Sequence, residues 1–176
     1  MPQPEILSSE IVYKGFFNIR LDHLKLPHGP ERHYTSLITG HDAAAILAET
    51  EDNKLIILNE YRHPTGEWLL GCPGGRLDEE ELPLIGAQRE LLEETGFQSD
   101  EWIHMGAIFP FPAVCPQKIH YYLAKNARFI QKPNLEDFEL IHPVLKTKTE
   151  LYHEITNGAL TDGVLCTALL LRNLIP

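Results

Sequence analysis

The sequence predicts an α+β fold, a mixed sheet with few helices, behind a run of antiparallel N-terminal strands. Three observations predict it. Short apolar or alternating runs, each bounded by turn residues, recur over the first 60 positions and again between 103 and 144. Helical spacing of apolar residues occurs in just three places, after Pro83, after Thr147 and after Asp162. The chain of 176 residues, 43% apolar and 23% charged, has an ordinary globular composition. That length suits one domain with a real core and is short for two, so residues 1–176 are expected to form one domain.

In chain order, residues 11–26 alternate loosely and carry Phe16, Phe17, Ile19, Leu21 and Leu24. Pro27-His28-Gly29-Pro30 is a strong turn signal, and Tyr34 to Ile38 reads as the returning strand. Ala43 to Ala48 is an apolar run of small residues. Asp52-Asn53-Lys54 turns it into Leu55 to Leu58, a buried strand, so two hairpins are expected. Pro73-Gly74-Gly75 breaks the chain ahead of a helix. Pro83 suits its first turn, Leu84, Ala87 and Leu91 make one apolar stripe, and Gly96 stands where the C-terminal cap needs positive φ. Strands follow at Ile103 to Phe109 and Ile119 to Leu123 with a proline-rich loop between them, and Phe138 to Val144 is a further candidate. Thr147 and Glu150 form a capping-box pattern for a helix carrying Leu151 and Ile155 and ending by Gly158. Thr161-Asp162 can cap a last helix with Val164, Leu165, Ala168, Leu169 and Leu171.

Several function classes are disfavoured. No stretch approaches the ~20 apolar residues of a membrane span, and Met1 to Glu10 lacks the basic start and apolar run of a signal peptide. A formal net charge of -10 argues against a nucleic-acid or anionic-membrane partner. Cys72, Cys115 and Cys166 are odd in number and form no Cys-x-x-Cys pair. A reducing cytoplasm is the expected location, and Cys115 reads as a small filler. The nine histidines show no zinc-site spacing.

The acids are more informative. Asp78, Glu79, Glu80, Glu81, Glu90, Glu93 and Glu94 crowd between positions 78 and 94. For any one of them, a solvated helix face is the ordinary explanation. Glu90, Glu93 and Glu94, however, share one helix face, where like charges cost ~0.2–0.5 kcal/mol per pair. Arg89 can offset part of this and a hard divalent cation the rest. Ligands that are all oxygen suit Mg²⁺ or Mn²⁺. Gly74 and Gly75 allow a closely approaching backbone whose carbonyl is a further candidate ligand.

Gly75, five residues, Glu81, seven residues, Arg89-Glu90-Leu91, one residue, Glu93-Glu94, one residue and Gly96-Phe97 together match the Nudix box, residues 75–97. On this motif the chain resembles the Nudix hydrolase family. The resemblance implies an α/β/α sandwich around a mixed central sheet, with the box as loop-helix-loop. It implies metal-assisted attack of water on a diphosphate. Glu90 and Glu94 would then be metal ligands, Glu93 a ligand or base, and the Gly74 carbonyl a further ligand. Arg89 would orient the glutamates, and Glu81 would be structural.

The resemblance extends to Tyr13-Lys14-Gly15-Phe16-Phe17, Leu26-Pro27-His28-Gly29, Asn59-Glu60-Tyr61-Arg62-His63-Pro64, Trp68-Leu69-Leu70 and Phe109-Pro110-Phe111-Pro112. These are similar to the branch that hydrolyses ADP-ribose and nucleotide sugars. That branch implies a small nucleotide diphosphate substrate and a homodimer built through the N-terminal strands of residues 1–40. Phe16, Phe17 and Tyr34 become candidates to stack on a base, although strand-core or dimer packing is the better explanation for any single one of them. Arg62, Arg76 and Pro112 are further candidate substrate contacts, and Arg62 could instead tie strands together. A later loop carboxylate often serves as base in the branch, and Glu136, Asp137 and Glu139 lie in that region. Two positions depart from the branch. Gly71 stands where Glu is frequent, and Ala113-Val114-Cys115-Pro116-Gln117 replaces a Gly-x-x-x-Glu loop. The alternatives are another Nudix substrate (NADH, coenzyme A or a modified nucleoside triphosphate) and a nucleotide-binding regulator without catalysis.

Overall fold

A computed structural model describes residues 2–159 and 162–174. The chain forms two compact units: Met1–Asp42 with Phe109–Lys118, and Ala43–Ile108 with Ile119–Pro176.

The first unit is an antiparallel sheet of β1 (Glu5–Tyr13), β2 (Asn18–Lys25) and β3 (Glu31–Ile38), in that order. The alternating run expected over 11–26 is therefore two strands rather than one. The chain bends over Lys14 to Phe17, and β1 reaches back to Glu5. The polar Ser8, Ser9 and Glu10 hid β1 from a search for apolar periodicity. All nine of its residues are exposed, so its pairing to β2, rather than burial, makes it a strand.

In the second unit, β4 (Ala43–Thr50), β5 (Leu55–Arg62), β6 (Glu67–Gly71), β7 (Phe97–Gln98), β8 (Glu101–Ile108), β9 (Ile119–Phe129) and β10 (Ile141–Lys146) form a seven-stranded sheet. The order is β10-β5-β4-β9-β7, with β6 on β5 and β8 on β9. β4 runs parallel to β9 and the other pairs are antiparallel, so the sheet is mixed. β10 begins at Ile141 rather than Phe138. Phe138 lies in a turn closed by the Glu139 N–H donating to the Glu136 carbonyl at 3.0 Å, and its ring is exposed.

Period-two alternation divides the core between the two faces of this sheet. On one face Ala44, Ile46, Ala48, Ile56, Tyr122 and Ala124 pack against Ala87 and Leu91 of α1 (Pro83–Thr95). On the other, Ala45, Leu47, Leu55, Ile57, Tyr121 and Leu123 pack against Leu151 of α2 (Lys148–Thr156) and Leu165, Ala168 and Leu169 of α3 (Gly163–Asn173). Each fully buried Leu or Ile adds about 1.5–3 kcal/mol of apolar burial. The helix-sheet-helix layering expected of an α/β/α sandwich is thus present. Local signals also set the helix ends. Pro83 opens α1, Gly96 caps it in the left-handed region, and Thr147 and Glu150 form the reciprocal capping box of α2. Asp162 caps α3 through the Leu165 N–H, while Thr161 lies outside the described residues. Among the described residues no helix is long and apolar enough to cross a membrane.

Candidate active site

The site begins where two strands part. β4 and β5 pair only at Ala48–Ile56 and Glu49–Leu55. Beyond that, β6 takes the edge of β5 from Leu58 to Arg62, and the Pro73–Arg76 turn takes the edge of β4. Ile46 N–H donates to the Pro73 carbonyl at 2.8 Å and Ala44 N–H to the Gly75 carbonyl at 2.9 Å. The Gly74 carbonyl between them is not one that β4 takes. Gly74 has φ 146°, and a Cβ there would overlap the Ala44 carbonyl. A Cβ at Gly75 would lie 2.6 Å from Glu90 Oε1. One glycine therefore admits the strand and the next admits a carboxylate.

α1 lowers its acids onto this turn. Glu94 is buried, and its Oε2 accepts the Gly74 N–H at 2.7 Å. Burial pushes its carboxyl well above the usual range. The Gly74 bond opposes the rise, and the charges of Glu90, Glu139 and Glu60 add to it. Burial also raises Glu90, against the neighbouring Arg89, with Glu93 and Glu139 adding to the rise. Arg89 organises the remaining acids. Its Nε and Nη2 hold Glu81 through both oxygens, at 3.0 and 2.9 Å. Its Nη1 donates to Glu90 Oε1 at 2.9 Å and to Glu93 Oε2 at 3.1 Å. The Arg89 bonds keep Glu81 below the usual carboxylate range.

The structure thus joins Gly74 to Glu94 directly, and Glu90 to Glu93 through Arg89. Of the three loop candidates, Glu136, Asp137 and Glu139, it is Glu139 whose charge adds to the rise at Glu60, Glu90 and Glu94. Glu136 is exposed, and its backbone N–H donates to Glu139 Oε2 at 2.8 Å. Arg76 is exposed, and its carbonyl accepts from Arg89 Nη2 at 3.3 Å. Arg62 Nη1 sits 2.5 Å from Glu60 Oε1. Glu60 was not singled out from the sequence. Burial raises its carboxyl, Arg62 opposes the rise, and Glu139 and Asp162 add to it. Its parity with Ile56 on β5, which places it on the α1 face, was the available signal.

Phe16, Tyr34 and Pro112 belong to the first unit and are all exposed. The Tyr34 hydroxyl donates to the Ala113 carbonyl, which ties β3 to the loop that carries Pro112. Phe16 meets Phe17 edge to face at 4.7 Å. At the two departures, Gly71 has open space where a side chain would point, and the Gln117 amide donates to the His41 carbonyl at 3.0 Å.

The donor chemistry on α1 fits a hard divalent cation, being all oxygen, and among the described residues no cation pairs with the buried Glu94. As the side chains stand, no three His, Cys, Asp or Glu groups among the described residues close around a single point. Arg89 holds Glu90 and Glu93, and the Gly74 N–H holds Glu94. Arg89 takes Oε1 of Glu90 and leaves its Oε2 to a cation.

The chain is similar to known proteins in sequence and in fold. The sequence profile of the NUDIX domain matches residues 39–154. An ADP-ribose pyrophosphatase of Mycobacterium tuberculosis is 30% identical over 170 residues, covering 92% of this chain and 81% of its own. A methanol dehydrogenase activator of Bacillus methanolicus is 27% identical over 163 residues, covering 92% and 88%. A solved structure described as an ADP compounds hydrolase superposes with a TM-score of 0.87 at 23% identity, covering 98% of this chain and 94% of its own. That last likeness concerns the fold.

Proposed function

From the premise that this chain belongs to the NUDIX domain family, we propose that it hydrolyses the diphosphate of ADP-ribose or a nucleotide sugar, with Mg²⁺ or Mn²⁺. The observation that carries the reading is the pair of buried carboxylates, Glu90 and Glu94, set on the Gly74–Gly75 turn inside the matched region. Similarity to an ADP-ribose pyrophosphatase supports a pyrophosphatase hydrolase and favours this substrate class.

Water adds its oxygen to one phosphorus, the bridging P–O bond breaks, and the departing phosphate keeps that bond's electron pair. The products are a nucleoside monophosphate and a sugar phosphate. The bound metal would polarise phosphate oxygens and lower the pKa of the attacking water. Glu90, Glu94 and the Gly74 carbonyl would hold it, with Glu93 beside them. Glu139, whose charge acts on both buried acids, is the best placed of the three loop carboxylates to take the water's proton. Arg62 and Arg76 would contact the diphosphate. Phe16, Tyr34 and Pro112, in the first unit, are proposed as contacts to a base.

Two further parts belong to the same proposal. The N-terminal sheet exposes Ile6, Leu7, Ile11, Val12 and Tyr13 along β1, which suits a second copy of the chain and a homodimer. A cytoplasmic location accords with three free cysteines. The test is a panel of ADP-ribose, nucleotide sugars, NADH, coenzyme A and modified nucleoside triphosphates with Mg²⁺, read by product mass. Similarity to a protein named as a methanol dehydrogenase activator favours a second reading, a nucleotide-binding regulator. Turnover of any compound in the panel excludes a purely regulatory role.

A further inference from the structure

The stripe of α1 that faces the sheet is Leu84, Ala87 and Leu91. A second stripe at i, i+3 and i+7, Ile85, Gln88 and Leu92, instead walls a groove of about 460 Å³ against the β7–β8 corner. Trp102 forms part of the opposite wall. Its indole N–H donates to the Ser99 carbonyl at 2.9 Å, and its ring meets Tyr122 edge to face at 6.3 Å, so the ring is fixed before any ligand arrives.

The charges that border this groove are already committed. Arg89 spends its donors on Glu81, Glu90 and Glu93. Asp100 Oδ2 is held by Arg128 at 2.7 Å. The Ser99 hydroxyl donates to the Lys125 carbonyl at 2.5 Å and accepts the Glu101 N–H at 2.9 Å. What remains is an indole, two aliphatic side chains and the carboxamides of Gln88 and Gln98, which have no hydrogen-bond partner among the described residues. Each carboxamide offers both a donor and an acceptor. An ionic ligand finds no free counter-charge here. A flat, neutral ring with alternating donors and acceptors finds an apolar wall and two groups able to read its edge, as a glutamine carboxamide reads adenine. The volume lies within the usual range for a small-molecule site.

We propose that this groove is a non-catalytic subsite for a nucleobase, adenine best of all, delivered as a free nucleoside. It shares α1 with the acidic site but none of the carboxylates that would hold the metal. Binding needs neither metal nor turnover, so the subsite stands or falls apart from the hydrolase reading.

The experiment titrates adenosine into metal-free Trp68→Phe protein, where Trp102 is the remaining indole, and reads its fluorescence at red-edge excitation. A saturable change is expected. The Gln88→Ala/Gln98→Ala double variant on the same background should weaken it at least tenfold, with an unchanged melting temperature because both side chains are exposed. Ribose 5-phosphate, which has no base, should produce no change. A change that does not saturate, an affinity equal in the double variant, or an equal response to ribose 5-phosphate would each overturn the proposal.

Discussion

Two glutamates on opposite faces of the same sheet invite comparison. Glu49 is 8% exposed and Glu94 is 5% exposed. Glu49, near the end of β4, has Lys148 Nζ at 3.0 Å and Arg172 Nε at 3.1 Å. Burial alone would raise its carboxyl, but the bonds and charges of these two cations outweigh it and bring the pKa below the ordinary value. Glu94 has a single backbone N–H and three like charges, and it is driven the other way. Two similarly buried acids are therefore opposite in kind. At Glu49 the fold supplies the counter-charge and gains stability. At Glu94 the fold leaves the charge uncompensated, as a site for an external cation requires.

The sharpest way to break this contrast is Glu94→Gln. Turnover should fall by about 10²–10⁴-fold, because bound metal contributes several kcal/mol to the transition state. Melting in the absence of metal should be unchanged or higher, since one crowded charge is gone. A near wild-type rate under saturating Mg²⁺ would remove Glu94 from the ligand set. Chelator should abolish turnover in the unaltered protein, and full turnover of a nucleotide sugar in excess chelator would end the metal reading.

Next in size is the effect of metal on stability. At about a hundredfold excess over its dissociation constant, Mg²⁺ should raise the melting temperature by about 5–10 °C. Glu94→Gln should lose most of that rise and Glu49→Gln should keep it. Equal shifts in both variants would place the cation elsewhere. Glu49→Gln should itself cost about 1–3 kcal/mol in denaturant unfolding, because it breaks charged hydrogen bonds. Its turnover should remain unchanged, and a matching loss of rate would mean that the two faces are not separable.

The smallest effect is on the pH dependence of melting without metal. The folded pKa of Glu49 is lowered, so its contribution is present above the ordinary carboxylate range and is lost as pH falls through the folded value. The folded pKa of Glu94 is raised, so its burden is relieved as pH falls from the folded value towards the ordinary one. Glu94→Gln should therefore flatten the profile above the ordinary carboxylate range, and Glu49→Gln should flatten it below that range. Identical profiles would refute the assignment.

The legibility of these features in the sequence follows their range. Pro83, the Leu84-Ala87-Leu91 stripe, Gly96 and the Thr147–Glu150 box are local signals, and the helices lie where those signals put them. Glu90, Glu93 and Glu94 were legible because one turn of helix suffices to gather them. The partners of Glu49 were not, since Arg172 is 123 positions away and only the packing of α3 on β4 brings it there. Parity with Ile56 gave the face of Glu60, but its place at the opening depends on where β4 and β5 separate, which is a matter of pairing. β6 was not foreseen because Glu67–Gly71 is short and does not alternate.

That separation also sets where the chain tolerates changes in length. Between Gly71 and Arg76 the backbone leaves the edge of β5 and joins the edge of β4, with the Pro73 and Gly75 carbonyls and the Gly74 amide each assigned to a fixed partner. One residue added or removed there shifts every assignment by one and turns the Gly74 amide away from Glu94. The hairpin turn at 63–66, closed by the Thr65 and Gly66 amides on the Arg62 carbonyl, carries no such duty. Length variation in homologous chains should therefore collect in the hairpin and be absent from the crossing. A linker inserted at the hairpin should yield folded protein, whereas the same linker at Gly74 should not.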